Sequence, residues 1–359
     1  MKFSCKLISC IMILSLPVLS GGCADRAVSG APVVIEEETE PEKELITIGF
    51  SQLGAESDWR SANTDSMLSS FTEEYGYSLI YENGQQKQSY QITELRSFIQ
   101  QEVDYILLAP VTESGWEGVL EEAAEAEIPV ILVDRRVDAD KSLYTCWLGS
   151  DFELESRKLC EWVDAYTRAK GMEPSDLNII HIQGTMGSTA QMGRTRGLAN
   201  AVREKGWNIL GQMSGDFTET KGREVMTAFL KRFDNINVVY CENDNEAIGA
   251  IQAIEAAGRT AGPDIDKGDI LVVSFDGVTQ DILSVAASGK IAAIAECNPQ
   301  HGPKVRALIE ALEAGESVEK FNYVDERIFS ALPEVIEVTV DGIAYPIDQI
   351  DLTGSKTSP

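Results

Sequence analysis

The 359 residues are 43% hydrophobic and 25% charged, which suits two domains of ordinary size, each with its own core, and excludes a disordered or fibrous chain. Acids outnumber bases by 58 to 30, and the resulting charge of −28 argues against a nucleic-acid partner. Such a charge serves solubility.

The chain opens with Lys2 and Lys6, the apolar run Leu7 to Leu19, and then Ser20, Gly21, Gly22 and Cys23. That run is too short to span a bilayer comfortably, so the segment reads as an export signal and the body as extracytoplasmic. The small residues before Cys23 resemble the lipobox of bacterial lipoproteins, in which the cysteine is lipidated and becomes the mature N-terminus. The preferred leucine three places before the cysteine is replaced by Ser20, with Leu19 one place earlier. The expectation is a cell-membrane lipoprotein held through Cys23, the alternative being a periplasmic protein with a cleaved signal and an incidental cysteine. Removing residues 1 to 23, which carry two lysines and no acid, takes the charge from −28 to −30. Residues 24–44 lack sustained periodicity, end in an acidic run and read as a flexible tether.

From Leu45 onward, short apolar runs alternate with amphipathic ones, as in a parallel sheet covered by helices. The predicted strands are LITIGF, YSLIYE, DYILLAP, PVILVD, NIIHIQ, WNILGQ, NVVYCE, ILVVSF and IAAIAE. Helical patterns cover 57–74, 90–101, 115–127, 152–170, 189–205, 218–233, 246–257, 278–288 and 301–314. The alternation breaks once, at LYTCWLGSD (143–151), where a strand-like piece has no helix before it, and the pattern then restarts. The fold class is therefore α/β, with two doubly wound parallel-sheet lobes.

Ligands of such sheets bind beyond the carboxyl ends of the strands. The predicted strands end in Ser51 and Gln52, in Asp134 and Arg135, in Glu242, Asn243 and Asp244, in Asp276, and in Glu296. Five polar endings at one edge of the fold make a constellation. Neither His181 nor His301 belongs to a metalloprotease arrangement, and the chain has no nucleophile elbow, P-loop or dinucleotide fingerprint. Asp134 and Asp276 could serve as paired carboxylates, but flanking arginines are expected to hold both ionised, which a general acid cannot be. DIDKGD (264–269) has its glycine one place too early for a calcium loop. Cys146, Cys160, Cys241 and Cys297 fit no zinc spacing and read as buried thiols; a disulfide is allowed but not demanded. No enzyme activity, cofactor or metal is expected.

The runs GFSQLGAESDWR (49–60), ENGQQKQSYQI (82–92), PVILVDR (129–135), SGDFTETKGREVM (214–226), ENDNEAIGAIQAI (242–254) and VSFDG (273–277) resemble, in one colinear order, the pentose- and hexose-binding proteins of bacterial sugar ABC importers. Within them the similarity is greatest to the galactofuranose-binding branch. The resemblance implies a three-segment hinge between an N-terminal lobe (45–148 plus 297–325) and a C-terminal lobe (149–296 plus 326–350), with a tail at 351–359. It also implies a monomer that closes on one monosaccharide and delivers it to an ABC permease, its only contact with the membrane being the lipid anchor. A sugar sensor presenting the closed form to a receptor or histidine kinase is the alternative.

By matched positions the implied contacts are Ser51, Glu56, Trp59 and Arg60 from the first loop, Gln86, the strand end Asp134 and Arg135, then Arg194, Phe217, Asn243, Asp276 and Glu296. A sugar offers hydroxyls that donate and accept and a C–H face for an aromatic ring, which these residue types suit. The ribose-type pattern has an amide where Glu296 stands and aromatic stackers where ESDWR lies. Glu56 and Arg60 would reach an exocyclic hydroxyl tail, making galactofuranose the first choice and ribose or arabinose the nearest competitors.

Overall fold

The computed structural model describes residues 45–351 and the backbone of the short strand Lys356–Thr357. The expected export signal, Cys23 and tether lie outside the described residues. In chain order come β1 (Ile46–Gln52), α1 (Asp58–Ser70), β2 (Tyr77–Asn83), α2 (Gln88–Gln100), β3 (Tyr105–Leu108), α3 (Glu117–Glu125), β4 (Val130–Val133) and β5 (Cys146–Gly149). A second set follows with α4 (Phe152–Ala169), β6 (Asn178–Gln183), α5 (Thr189–Lys205), β7 (Asn208–Ser214), α6 (Glu219–Leu230), β8 (Val238–Cys241), α7 (Asp244–Ala256), β9 (Leu271–Asp276), α8 (Gln280–Ala287) and β10 (Ala293–Glu296). The chain ends in α9 (Gly302–Glu313), β11 (Phe321–Tyr323), β12 (Ile328–Ser330), β13 (Glu337–Val340), β14 (Ile343–Ile350) and β15 (Lys356–Thr357).

One sheet has the order β11-β5-β4-β3-β1-β2 and is parallel throughout. Its strands are apolar on both faces because successive side chains enter opposite helix layers. Ile131 and Val133 of β4 pack with Met67 of α1 and Val305 and Ile309 of α9, whereas Val130 and Leu132 pack with Leu95 of α2 and Leu120 of α3. The other sheet has the order β13-β14-β12-β10-β9-β8-β6-β7, with β15 beside β14. It divides its residues the same way: Val239 and Cys241 of β8 face α6 and α7, and Val238 and Tyr240 face α4 and α5. Burial on both sides of these short central strands explains why an apolar run, rather than an alternating one, marks each of them.

The α/β architecture with two mostly parallel sheets is as expected, and the second sheet also carries antiparallel pairs. β12 runs antiparallel to β10, with Ile294 opposite Phe329, and β13 and β14 form an antiparallel hairpin. The chain enters β12 straight from β11 of the other sheet, and β14 then pairs with β12 in the parallel sense. The hairpin turns at Asp341 and Gly342, both with positive φ (53° and 79°), as a two-residue primed turn requires.

Sheet membership shows three crossings, at 149–152, 296–302 and 323–328. They are bonded to one another: Glu326 Oε1 accepts from Ser150 Oγ at 2.6 Å and from the Asn298 amide at 2.9 Å. Cys146, Cys160, Cys241 and Cys297 are free and buried, and burial pushes the Cys146 and Cys160 thiols up to about 11 and about 12, which leaves them inert. His181 is likewise a core residue, its Nε2 lying 2.8 Å from Glu242 Oε1. Among the described residues, no helix is long and apolar enough to cross a membrane.

Candidate functional site

Where the strand ends of the two sheets face each other, they line a cavity. Glu56, Ser57, Trp59, Arg60, Asp134 and Arg135 line it from the first sheet, and Phe152, Ala190, Arg194, Phe217, Asn243 and Asp276 from the second. Cys297, at a crossing, completes the lining. The backbone is strained at this place. Asp134 (φ 65°), Phe217 (φ 61°) and Asp276 (φ 97°) all occupy the left-handed region, which non-glycine residues rarely hold unless the surroundings enforce it. Each leaves its strand or loop with a sharp turn that swings a side chain into the cavity.

Ser57 caps α1 by accepting from the Arg60 amide at 3.2 Å, which sets Trp59 and Arg60 on the first helical turn. The Trp59 ring N–H donates to the Cys297 carbonyl at 2.6 Å, fixing the indole, and the Arg60 guanidinium lies 4.6 Å over its ring. Four buried charges then pair crosswise. Arg60 Nη2 donates to Asp134 Oδ2 at 2.5 Å, and Arg135 Nη2 donates to Glu56 Oε1 at 2.5 Å. Arg60 also approaches Glu56 at 3.5 Å, and Arg135 Nη1 donates to the Val111 carbonyl at 2.9 Å. Yet Arg60 Nε and Nη1 and Arg135 Nε are buried without a hydrogen-bond partner. Buried donors of charged groups are seldom left so, and here they belong to residues lining a cavity.

Arg194 organises the opposite wall. Its Nε donates to Glu155 Oε2 at 3.1 Å, Nη1 to the Glu242 carbonyl and Nη2 to Asp276 Oδ1 at 3.3 Å. Asn243 caps α7, accepting from the Glu246 amide at 2.8 Å, and its Nδ2 donates to the Phe217 carbonyl at 3.1 Å. One amide proton is then left for another acceptor.

The two aspartates titrate in opposite directions, and here the sequence expectation is corrected. Burial raises Asp134, but Arg60 and Arg135 outweigh it and hold the carboxyl below its usual range. Burial pushes Asp276 well above its usual range, because its one guanidinium, Arg194, is divided among several acceptors. Beneath Trp59 sits the fully buried His301, ring centroids 5.5 Å apart, and burial lowers its imidazole to about 4.

Nine of the twelve expected contact residues line the cavity: Glu56, Trp59, Arg60, Asp134, Arg135, Arg194, Phe217, Asn243 and Asp276. The structure places three elsewhere. Ser51 lies under α2, donating to Glu94 at 2.6 Å and accepting from Gln91 at 3.2 Å, because alternation along β1 turns it to that face. Gln86 sits in an exposed turn whose amide donates to the Leu53 carbonyl. Glu296 accepts from Arg327 Nε at 3.2 Å beside the crossings. Ser57, Phe152, Ala190 and Cys297 line the cavity without having been expected there. Their positions, at a helix cap, at two first helical turns and one residue beyond a strand, are the same kind of place as the strand ends that were read.

Residues 48–305 match the periplasmic binding protein domain. A galactofuranose-binding protein of Escherichia coli is 40% identical over 290 residues, which cover 79% of this chain and 87% of that protein. A Mycobacterium smegmatis protein in complex with β-D-fucofuranose superposes with a TM-score of 0.74 at 40% identity, covering 79% of this chain and 91% of that one. The binding component of the arabinose ABC transporter of a Shewanella species, bound to L-arabinofuranose, superposes at 0.72 with 37% identity, covering 79% and 91%. Because the matched stretch runs from β1 into α9 and so contains every residue that lines the cavity, the chain is a member of the periplasmic binding protein family.

Proposed function

We propose that the protein captures one monosaccharide in its five-membered ring form, galactofuranose first, and presents it unchanged, as a monomer, to an ABC permease. The observation that carries this is the set of unpartnered guanidinium donors on Arg60 and Arg135, in a cavity that also offers carboxylates and the aromatic rings of Trp59 and Phe217. Sugar hydroxyls both donate and accept, so they suit a wall that does both. Asp134, held low by two guanidinium groups, and Asp276, held high by burial, put two carboxyl groups of different acidity on the wall. The relatives with furanose in their names or complexes support the ring form. Oppositely shifted carboxyls would also suit a glycosidase, but the family and these relatives favour binding without turnover.

The contact set of this proposal is the nine cavity-lining residues, with Ser51, Gln86 and Glu296 supporting the strands and crossings behind them. Glu56 and Arg60 give the preference for an exocyclic tail, since a pentose would leave one of them partly unpaired at about 1–3 kcal/mol. Calorimetry with galactofuranose, galactopyranose, ribose and arabinose tests it, corrected for the furanose fraction of each sugar in water. Galactofuranose should bind at least about tenfold more tightly than ribose. Glu56→Ala should narrow that gap, and Asp134→Ala should weaken all four sugars. Tighter binding of ribose or a pyranose refutes the ligand, and conversion of any sugar, read by NMR, refutes the binding role.

We further propose that Cys23 carries a lipid and that residues 24–44 tether the body to the cell membrane. The cysteine's setting supports this: an apolar run, then Ser20, Gly21 and Gly22. Cys23→Ala should release folded protein into the soluble fraction, and its retention with the membrane would contradict the anchor.

A further inference from the structure

Behind the Arg194 wall, two carboxyl groups meet that the cavity does not use. Glu155, on the first turn of α4, is 1% exposed. Its Oε2 accepts from Arg194, and its Oε1 is buried without a hydrogen-bond partner. The partly buried Glu326, at the third crossing, is pinned by Ser150 of the first crossing and the Asn298 amide of the second. One oxygen of each carboxyl and the Cys297 sulfur all lie within 4.8 Å of one another.

Two carboxylates cannot sit so close in a dry place with both charges retained. The surrounding charges do not relieve them. Lys158, one turn along α4, gives its Nζ to the Glu326 backbone carbonyl at 2.8 Å. Arg194 of α5 is divided among Glu155, the Glu242 carbonyl and Asp276 at the end of β9. Asp151 is occupied in capping α4, Glu296 at the end of β10 is bonded to Arg327, and the Cys297 thiol is pushed well above its usual range by burial. Lys158 and Arg194 thus face three acids, Glu155, Glu326 and Asp276. Burial raises Glu155 and Glu326 alike, and the Glu155 charge raises Glu326 further.

We propose that Glu155 and Glu326 share one proton at neutral pH, as an acid–carboxylate pair that joins the three crossings and leaves Arg194 free to reach Asp276 in the cavity. Without that proton, two full charges would repel across the crossings and draw Arg194 away from Asp276. The link to the cavity makes Glu155 a positioning residue. This last consequence rests on the sugar-binding role proposed above; the proton itself does not.

The test needs no sugar and so is independent of the ligand. Full-length wild type and Glu326→Gln are unfolded in urea from pH 5 to pH 8. The glutamine amide can donate to Glu155 Oε1 without titrating. An unfolded glutamate has a pKa of about 4.3, so above that value the unfolded wild type releases the proton that the folded form keeps. The wild-type unfolding constant should therefore rise relative to the variant's as pH rises, by up to about tenfold per pH unit, until the folded pair itself ionises. Glu155→Gln should remove the same pH dependence, and it replaces the first variant if that one does not fold. A pH-independent ratio overturns the proposal. So does a rise in wild-type Tm with stoichiometric zinc that both variants lose, which would mean that Glu155, Glu326 and Cys297 hold a cation in place of the proton.

Discussion

Truncating Glu56 to alanine tests the crosswise pairing most directly. Arg135 would keep the Val111 carbonyl at 2.9 Å but lose its 2.5 Å carboxylate, and the next acid, Asp134, stands 4.0 Å away. The side chains of Arg135 and Glu56 are only 2% and 3% exposed, so solvent screening does not soften the loss. Removing one member of such a pair costs about 3–5 kcal/mol, because the remaining charge stays buried and uncompensated. Arg135→Met should cost a similar amount, leaving Glu56 with Arg60 at 3.5 Å. The double variant strands neither charge, so its loss should fall short of the sum by about 1–3 kcal/mol. Urea denaturation of the four sugar-free proteins at pH 7 measures this coupling. Losses that add within about 0.5 kcal/mol would show that Glu56 and Arg135 are not the pair that the geometry makes them.

Other expectations follow from single contacts. His301 has a folded value of about 4 against 6.5 when free, so its contribution is complete above about pH 6.5 and is lost as pH falls toward 4. The fall corresponds to about 3 kcal/mol, and His301→Phe should flatten the acid limb of a stability–pH curve by that order; an unchanged limb would refute the assignment. Gly249→Ala would place a Cβ 2.1 Å from the Glu219 carbonyl and 2.6 Å from the Arg223 amide, forcing α6 and α7 apart. A destabilisation of about 1–3 kcal/mol is expected in thermal unfolding. Asn243→Ala removes the α7 cap and should cost about 1 kcal/mol in the sugar-free protein, whereas Asn243→Asp should recover most of it.

Much of the architecture was legible along the chain, because a strand buried between two helix layers must be apolar throughout and its amphipathic neighbours must follow a helical period. The helix expected over 189–205 is α5 to the residue, and PVILVD delivers Asp134 to the edge of the sheet as read. The Asp341–Gly342 turn is a two-residue hairpin signal between apolar runs, but the β13–β14 hairpin lies beyond the βα alternation that marks the rest of the fold. What the chain alone could not show is which strand end meets which. Arg60 and Asp134 are 74 residues apart and Glu56 and Arg135 are 79, so their pairing depends on the placement of α1 against β4. Ser51 and Glu296 stand at strand ends like Asp134 and Asp276, yet alternation and the crossings turn them elsewhere. The rise of Asp276 and the fall of Asp134 have the same origin: burial acts on both, and only the folded structure decides how many guanidinium groups each carboxyl receives.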